Sequence, residues 1–292
     1  MDTSKKTDQE SSKKVSQILS ALGDLPASPS VVSLVMGMTS DLNTDISQLS
    51  QALSADQSLT AKALKLSNSP LYGRARGVAS IEEAIMVLGF FTLRSLVIAT
   101  ATHAMFKGSG KNSLVESLWD HSLATGIASR LIAKKLGHPC VEESYLAGLL
   151  HDIGKLILTQ KFPDEYASLV SRHKKGDIEL DELEQNKFGF SHADLGEALL
   201  EKWEFPPDLI YAVANHHNPD IAAELNSVAS IPLIVNLANG IAKCIGAGFK
   251  TLAADDLAEF ESLKALKLPD EDLLTIIEAL TENFQEERSR FL

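Results

Sequence analysis

Residues 147–158 read AGLLHDIGKLIL and place His151 and Asp152 inside a run that otherwise has the apolar character of a core helix. Ionisable side chains enter a core when they are paired, hydrogen bonded or bound to a cation. A fold for this chain must therefore bring partners to that dipeptide from elsewhere in the sequence. Successive residues on a helix lie about 100° apart, so His151 and Asp152 can straddle one cation, or the carboxylate can bridge two.

The candidate partners are histidines, of which the chain has eight: His103, His121, His138, His151, His173, His192, His216 and His217. In SLVESLWDHSLATGIASRLIA, the residues Leu114, Leu118, His121, Thr125, Ala128 and Ile132 keep the three-and-four spacing of one helix face, which turns His121 inward. His192 opens a helix in FGFSHADLGEALL, and His216 and His217 close the helical segment DLIYAVANHHNP, which Asn218-Pro219 stops. One buried histidine is more often satisfied by a backbone carbonyl than by a metal. Several neutral imidazoles with a carboxylate form instead the donor set that suits Fe, Mn, Ni or Zn, and a carboxylate between two ions holds them about 3.5–4 Å apart for hydrolytic chemistry. His103 reads as core or edge packing, His138 as part of the turn LGHPC and His173 as part of the exposed basic run SRHKK.

Alternating Val/Ile/Thr runs bounded by turn residues are missing, and breakers at Pro26, Pro70, Gly73, Gly77, Gly108, Gly110, Pro139, Pro163, Pro206 and Pro219 fall between helical segments, which predicts an all-α fold. SPSVVSLVMGM starts a helix with Ser28 as N-cap and Pro29 at the first position, and SIEEAIMVLG starts another with a capping box of Ser80 and Glu83. Asn68 in NSPLYG reads as a helix stop, and Phe90, Phe91 and Trp119 as core or interdomain aromatics. Residues 1–18 have little to bury and are expected to be a mobile tail. FKGSGKNS, residues 106–113, is the candidate hinge between an N-terminal helical part, 19–110, and a part, 111–247, that carries every motif-forming histidine. Residues 248–292 form a helical extension, amphipathic through Leu273, Ile276, Ile277 and Leu280. It is expected to pack on the body, with partner binding or self-association into a homo-oligomer as the alternative.

At 292 residues, with 45% hydrophobic and 23% charged, the chain suffices for one large or two modest domains. No apolar run approaches the roughly 20 residues that span a bilayer, and the charged N-terminus has no hydrophobic signal region behind it, so the expected compartment is the cytoplasm. Cys140 and Cys244 read as reduced, packed thiols. A net charge of −12 speaks against broad binding to nucleic-acid backbones.

HDIGK, with a helical histidine before it and separated His and His-His positions after it, resembles the HD superfamily of metal-dependent phosphohydrolases. LPASPSVVSLVMGM, ALSADQSLTAKALKLSNSPLYG, SIEEAIMVLGFFTLRSLVIA and FGFSHADLGEALLEKWEFPPDLIYAVANHH resemble the ordered segments of its HDOD branch, from residue 21 to residue 245. The resemblance implies a compact all-α fold and a regulatory module of bacterial signalling that acts through a protein partner, often without hydrolase activity. Carried over by position, it implies His121, His151, Asp152, His192, His216 and His217 as metal ligands, with Lys155 touching phosphate and Asp152 serving catalysis if the protein is active. In the superfamily a final aspartate follows in a segment like VHLADRLA, where this chain reads IVNLANGIA, with Asn236 and Asn239 in place of the His and Asp. An amide is a poor ligand for a transition metal, so the position formed by His121, His151 and Asp152 is weakened, while Asp152, His192, His216 and His217 keep four donors. NPDIAAEL lacks a Gly-Tyr-Pro element, which disfavours cyclic-di-GMP hydrolysis. The expectation is a regulatory HDOD module with weak or no hydrolysis that retains one divalent transition metal. The alternative is a phosphohydrolase acting on a nucleotide or another phosphate ester.

Overall fold

The computed structural model describes residues 14–18, 20, 37–38, 45–54, 57–68, 78–108, 113–176, 178–225 and 227–289. Among them the fold is all-α, with no strand. The helix start at Ser28 and Pro29, most of NSPLYG and the centre of the hinge segment lie outside the described residues. Within the expected tail, residues 14–18 are helical and Val15 is buried, so packed structure reaches into it. The chain divides into two compact units, Met1–Leu25 with Ser109–Glu282, and Pro26–Gly108 with Asn283–Leu292.

In the smaller unit, α1 (Ile46–Ser54) and α2 (Gln57–Ser67) pack on the long α3 (Ile81–Gly108). Asn68 does stop α2: its Nδ2 donates to the carbonyls of Leu64 at 2.8 Å and Val78 at 2.9 Å, and its Oδ1 accepts from Val78 N at 2.7 Å. At the start of α3, Glu83 N donates to Ser80 Oγ at 3.1 Å, while the Glu83 carboxylate accepts from Ala79 N, one residue ahead of the cap. α3 is broken at Gly89 (φ 76°, ψ 165°), a conformation that a Cβ strongly disfavours. Ile81–Phe106 is long and apolar enough to cross a membrane, which corrects the expectation that no stretch is. Its Ile, Leu, Val, Phe and Ala residues raise the average hydropathy, while Gly, Thr, Ser and Arg94 interrupt the apolar run, and 61% of its most apolar window is buried within the protein. Phe91, expected inside, is 54% exposed and carries the Arg94 guanidinium 5.0 Å from its ring centroid, whereas Trp119, in the other unit, is buried.

The larger unit is built on α4 (Ser113–Lys135) and α5 (Val141–Leu150), which form an antiparallel pair. They approach closely because Gly126 and Gly148 face each other's backbones: a Cβ on Gly148 would strike the Thr125 carbonyl and Ser129 Oγ. Arg130 bridges the pair, donating to Glu142 at 2.7 Å and lying 3.9 Å from the Tyr145 ring centroid. After α6 (Ile153–Lys161) come α7 (Pro163–Lys175), α8 (Leu180–Phe188), α9 (His192–Lys202), α10 (Pro207–Ala214) and α11 (Ile231–Cys244). α12 (Glu261–Leu266) and α13 (Asp270–Ser289) follow, α13 belonging to this unit as far as Glu282. Leu257, Leu263, Leu266, Leu273, Ile276 and Leu280 join one core with Ala128 and Ile132 of α4 and Leu237 and Ile241 of α11. The amphipathic extension therefore packs on the body, each buried Leu or Ile contributing roughly 1.5–3 kcal/mol.

Candidate metal centre

His151 and Asp152 do not lie within one helix. α5 ends at Leu150, and Asp152 (φ −100°, ψ 11°) is the N-cap of α6, so the dipeptide occupies the break between them. Two residues on, Gly154 permits the close approach of α9: a Cβ there would overlap the His192 carbonyl. Ser191 and Asp194 form the capping box that starts α9, which puts His192 at its first turn. α10 ends at Ala214, two residues ahead of His216, and Asn236 holds the following turn by donating from Nδ2 to the His216 carbonyl at 2.9 Å. Asn236 Oδ1 in turn accepts from Ser262 Oγ at 2.8 Å, so this amide supports backbone rather than the pocket.

All six side chains predicted as ligands meet around Asp152. Its Oδ2 lies 3.5 Å from His121 Nε2, 3.3 Å from His151 Nε2 and 2.8 Å from Lys155 Nζ, which donates to it. Its Oδ1 lies 3.2 Å from His192 Nε2 and 3.9 Å from His216 Nε2. His217 Nε2 is 2.9 Å from His192 Nε2. His121, His151, Asp152, His192 and His216 are buried, and His217 is half-buried.

The imidazoles are held in one sense. Nδ1 of His121 faces the Ala247 carbonyl at 2.9 Å, that of His151 the Gly148 carbonyl at 2.7 Å, and that of His216 the Val213 carbonyl at 2.6 Å. A carbonyl only accepts, so each Nδ1 carries the proton and each Nε2 turns its lone pair toward Asp152. His151 Nε2, His216 Nε2 and Asp152 Oδ1 are buried without a hydrogen-bond partner. Buried lone pairs left without a partner are costly, and a divalent cation fits this donor set. Two clusters of three donors lie within 4.8 Å, His192 with His216 and His217, and His121 with His151 and Asp152.

Burial favours neutral imidazole here. It pushes His121 down to about 3, and it drives His216 and His217 well below the usual histidine range, with neighbouring imidazoles adding to the effect. Burial alone would raise Asp152, but His151 and Lys155 outweigh it and hold the carboxyl well below the usual range. His192 is the exception: burial opposes its charge, yet Glu184 more than compensates and the ring is raised above its ordinary value.

Some of the surrounding residues escape a sequence reading. Glu184 of α8 is fully buried, with Oε2 accepting from His192 N at 2.7 Å and facing His192 Nδ1 at 2.6 Å, while Oε1 accepts from Tyr166 OH at 2.8 Å. LDELEQNKF reads as a charged surface helix, and the one hint is that Glu184 shares the inner face with Leu180 and Leu183. A cleft of about 420 Å³ opens onto Asp152 and is lined by Lys155, Lys243, Lys250, His173, His121 and His217 among others. Burial and the nearby Lys155 lower the Lys243 ammonium. His173, read as exposed, is buried on this cleft with Nδ1 2.9 Å from the Ile178 carbonyl, because the last turn of α7 is covered by the chain that follows it. His138 also finds partners, Ser230 Oγ at 3.0 Å and the Ser227 carbonyl at 3.2 Å. Asn239 is buried one turn before Lys243 on α11, and its Oδ1 has no partner.

Comparison with known proteins matches the HDOD domain family over residues 25–219. An uncharacterized protein of Treponema pallidum (strain Nichols) is 24% identical over 230 residues, 78% of this chain and 44% of that protein, so the chain spans less than half the length of this relative. The crystal structure of an HDOD domain protein of unknown function from Geobacter sulfurreducens is similar with a TM-score of 0.78 and 28% identity, over 97% of both chains. A Shewanella amazonensis SB2B protein named a candidate phosphohydrolase gives a TM-score of 0.72 at 24% identity, over 94% of this chain and 98% of that one, a likeness of fold.

Proposed function

Since this chain belongs to the HDOD domain family, we propose that it is a regulatory module of bacterial signalling that works through a protein partner and holds one divalent transition metal at Asp152, His192, His216 and His217, with little or no hydrolase activity. The observation that carries this reading is how Asp152 divides its two oxygens. Oδ2, on the side of His121 and His151, is occupied by the Lys155 ammonium at 2.8 Å, whereas Oδ1 faces His192 and His216 without an aligned hydrogen bond. A fixed ammonium repels a cation on its own side, and Asn239 supplies no compensating negative charge there. The second position combines the clustered nitrogens of His192, His216 and His217 with Asp152 Oδ1, which lies 3.2 Å from His192 Nε2 and 3.9 Å from His216 Nε2, a donor number and type suited to Fe, Mn, Ni or Zn.

A bound divalent ion would lower the pKa of a coordinated water and polarise a phosphoryl oxygen. One ion cannot clamp attacking and leaving oxygens as a pair does, which is why turnover is expected to be weak. The phosphohydrolase reading is favoured by one specific feature, the cleft in which Lys155, Lys243 and Lys250 can neutralise a phosphate beside Asp152.

The test compares the parent protein with Asn239→Asp, each loaded with Mn, Fe, Ni or Zn, on a panel of nucleotides and phosphodiesters. The regulatory reading expects the parent to turn over far more slowly than about 1 per second and Asn239→Asp to gain activity. Parent turnover at or above that rate, abolished by Asp152→Ala, would establish the enzyme instead.

A further inference from the structure

Glu184 is a full carboxyl group in the core that no ligand pattern assigns, and two of its three hydrogen bonds go to His192. Its Oε2 accepts from the His192 backbone N–H, and since a carboxylate oxygen has no proton to give, the ring nitrogen facing the same oxygen is the donor. The imidazole is therefore locked with Nδ1–H toward Glu184 and Nε2 toward Asp152 Oδ1 and His217. Tyr166 OH holds the other oxygen and fixes the plane of the carboxyl group. Helix capping does not account for this arrangement. α9 already has a capping box in Ser191 and Asp194, with Ser191 N donating to Asp194 Oδ2 at 2.6 Å.

Resting on the metal-bearing reading of the site, we infer that Glu184 is its positioning residue: it fixes the tautomer and orientation of His192 and supplies, through that ring, the second buried negative charge that Asn239 does not provide. Of the imidazoles at the pocket, those of His121, His151 and His216 lean on neutral carbonyls, and His192 leans on a carboxylate. A carboxylate behind an imidazole makes its far nitrogen a stronger donor, and losing such a partner commonly lowers metal affinity about 10–100-fold. The asymmetry selects the His192 side of Asp152 over the His121 side.

The experiment measures Zn2+ affinity by chelator competition for the parent protein, Glu184→Gln and Tyr166→Phe, with the metal-free thermal midpoint of each. Glu184→Gln keeps the volume and an oxygen for the His192 N–H but removes the charge. It is expected to lose about 10–100-fold in affinity, and Tyr166→Phe less than about tenfold. A Glu184→Gln protein that folds and binds Zn2+ within about twofold of the parent would overturn the inference. A second measurement needs no variant: nitrogen NMR of the Zn2+-loaded parent should show His192 with a protonated Nδ1 and a coordinated Nε2, and coordination through Nδ1 refutes the assignment even if a variant fails to fold. Parent protein that takes up no Zn2+, Mn2+, Fe2+ or Ni2+ overturns the metal-bearing reading itself, an outcome distinct from unchanged affinity in Glu184→Gln.

Discussion

His121, His216 and His217 enter the fold uncharged because burial penalises their imidazolium forms, and this has a consequence for stability. A histidine whose folded value lies below its unfolded one binds fewer protons when native. Stability therefore rises with pH through that interval and falls on acidification below about 6.5. His192 is raised, so it acts in the opposite sense: its contribution is present below the unfolded value and is lost as pH rises. The lowered Asp152 withdraws its contribution only in the carboxylate range or beneath it. Burial also lowers His138, so with four lowered rings against one raised, metal-free protein is expected to lose stability between about pH 7 and pH 5. Urea midpoints across that interval check it, and a midpoint that stays level or climbs toward pH 5 would show that His192 dominates.

Helices position these rings, and much of the helical frame was legible as pattern. The inward register of His121, the His192 helix start and the apolar face of Leu273, Ile276 and Leu280 all follow from periodicity and capping, which are local in sequence. What pattern did not disclose depends on neighbours remote in the chain. The helix breaks at His151–Asp152 where α9 must approach, Glu184 turns from an ordinary charged residue into the partner of His192, and His173 is covered by the segment beyond α7. Gly154 tests the α6–α9 contact directly, since it stands where only a hydrogen fits against the His192 carbonyl. Gly154→Ala should destabilise the protein by about 1–3 kcal/mol, the usual cost of overpacking, and also weaken ion binding by moving His192 away from Asp152. Thermal melts and chelator competition measure the two effects. An unchanged affinity in a destabilised Gly154→Ala protein would mean that α6 yields and α9 stays in place.

At the scale of the whole molecule, every proposed ligand, the carboxylate behind His192 and the lysine-lined cleft fall within the unit of Met1–Leu25 and Ser109–Glu282, while the kinked α3 and its exposed Phe91 fall in the other. An ion that binds only native protein stabilises the unit that holds it by RT ln(1 + [L]/Kd), about 2.7 kcal/mol at a hundredfold excess over Kd. Calorimetry of metal-free protein and of protein with Mn2+ or Zn2+ at such an excess should thus raise the unfolding temperature of the histidine-bearing unit. A gain of that size moves a domain of 150–250 residues by roughly 5–10 °C, scaling from 2–4 °C per kcal/mol. Asp152→Ala should abolish the rise, because it removes the oxygen that faces His192 and His216 and the acceptor of Lys155 together. If the ion leaves the parent scan unmoved, or moves the Asp152→Ala scan equally, the pocket is not where it binds, and the buried lone pairs around Asp152 must be satisfied by water or by a ligand of another kind.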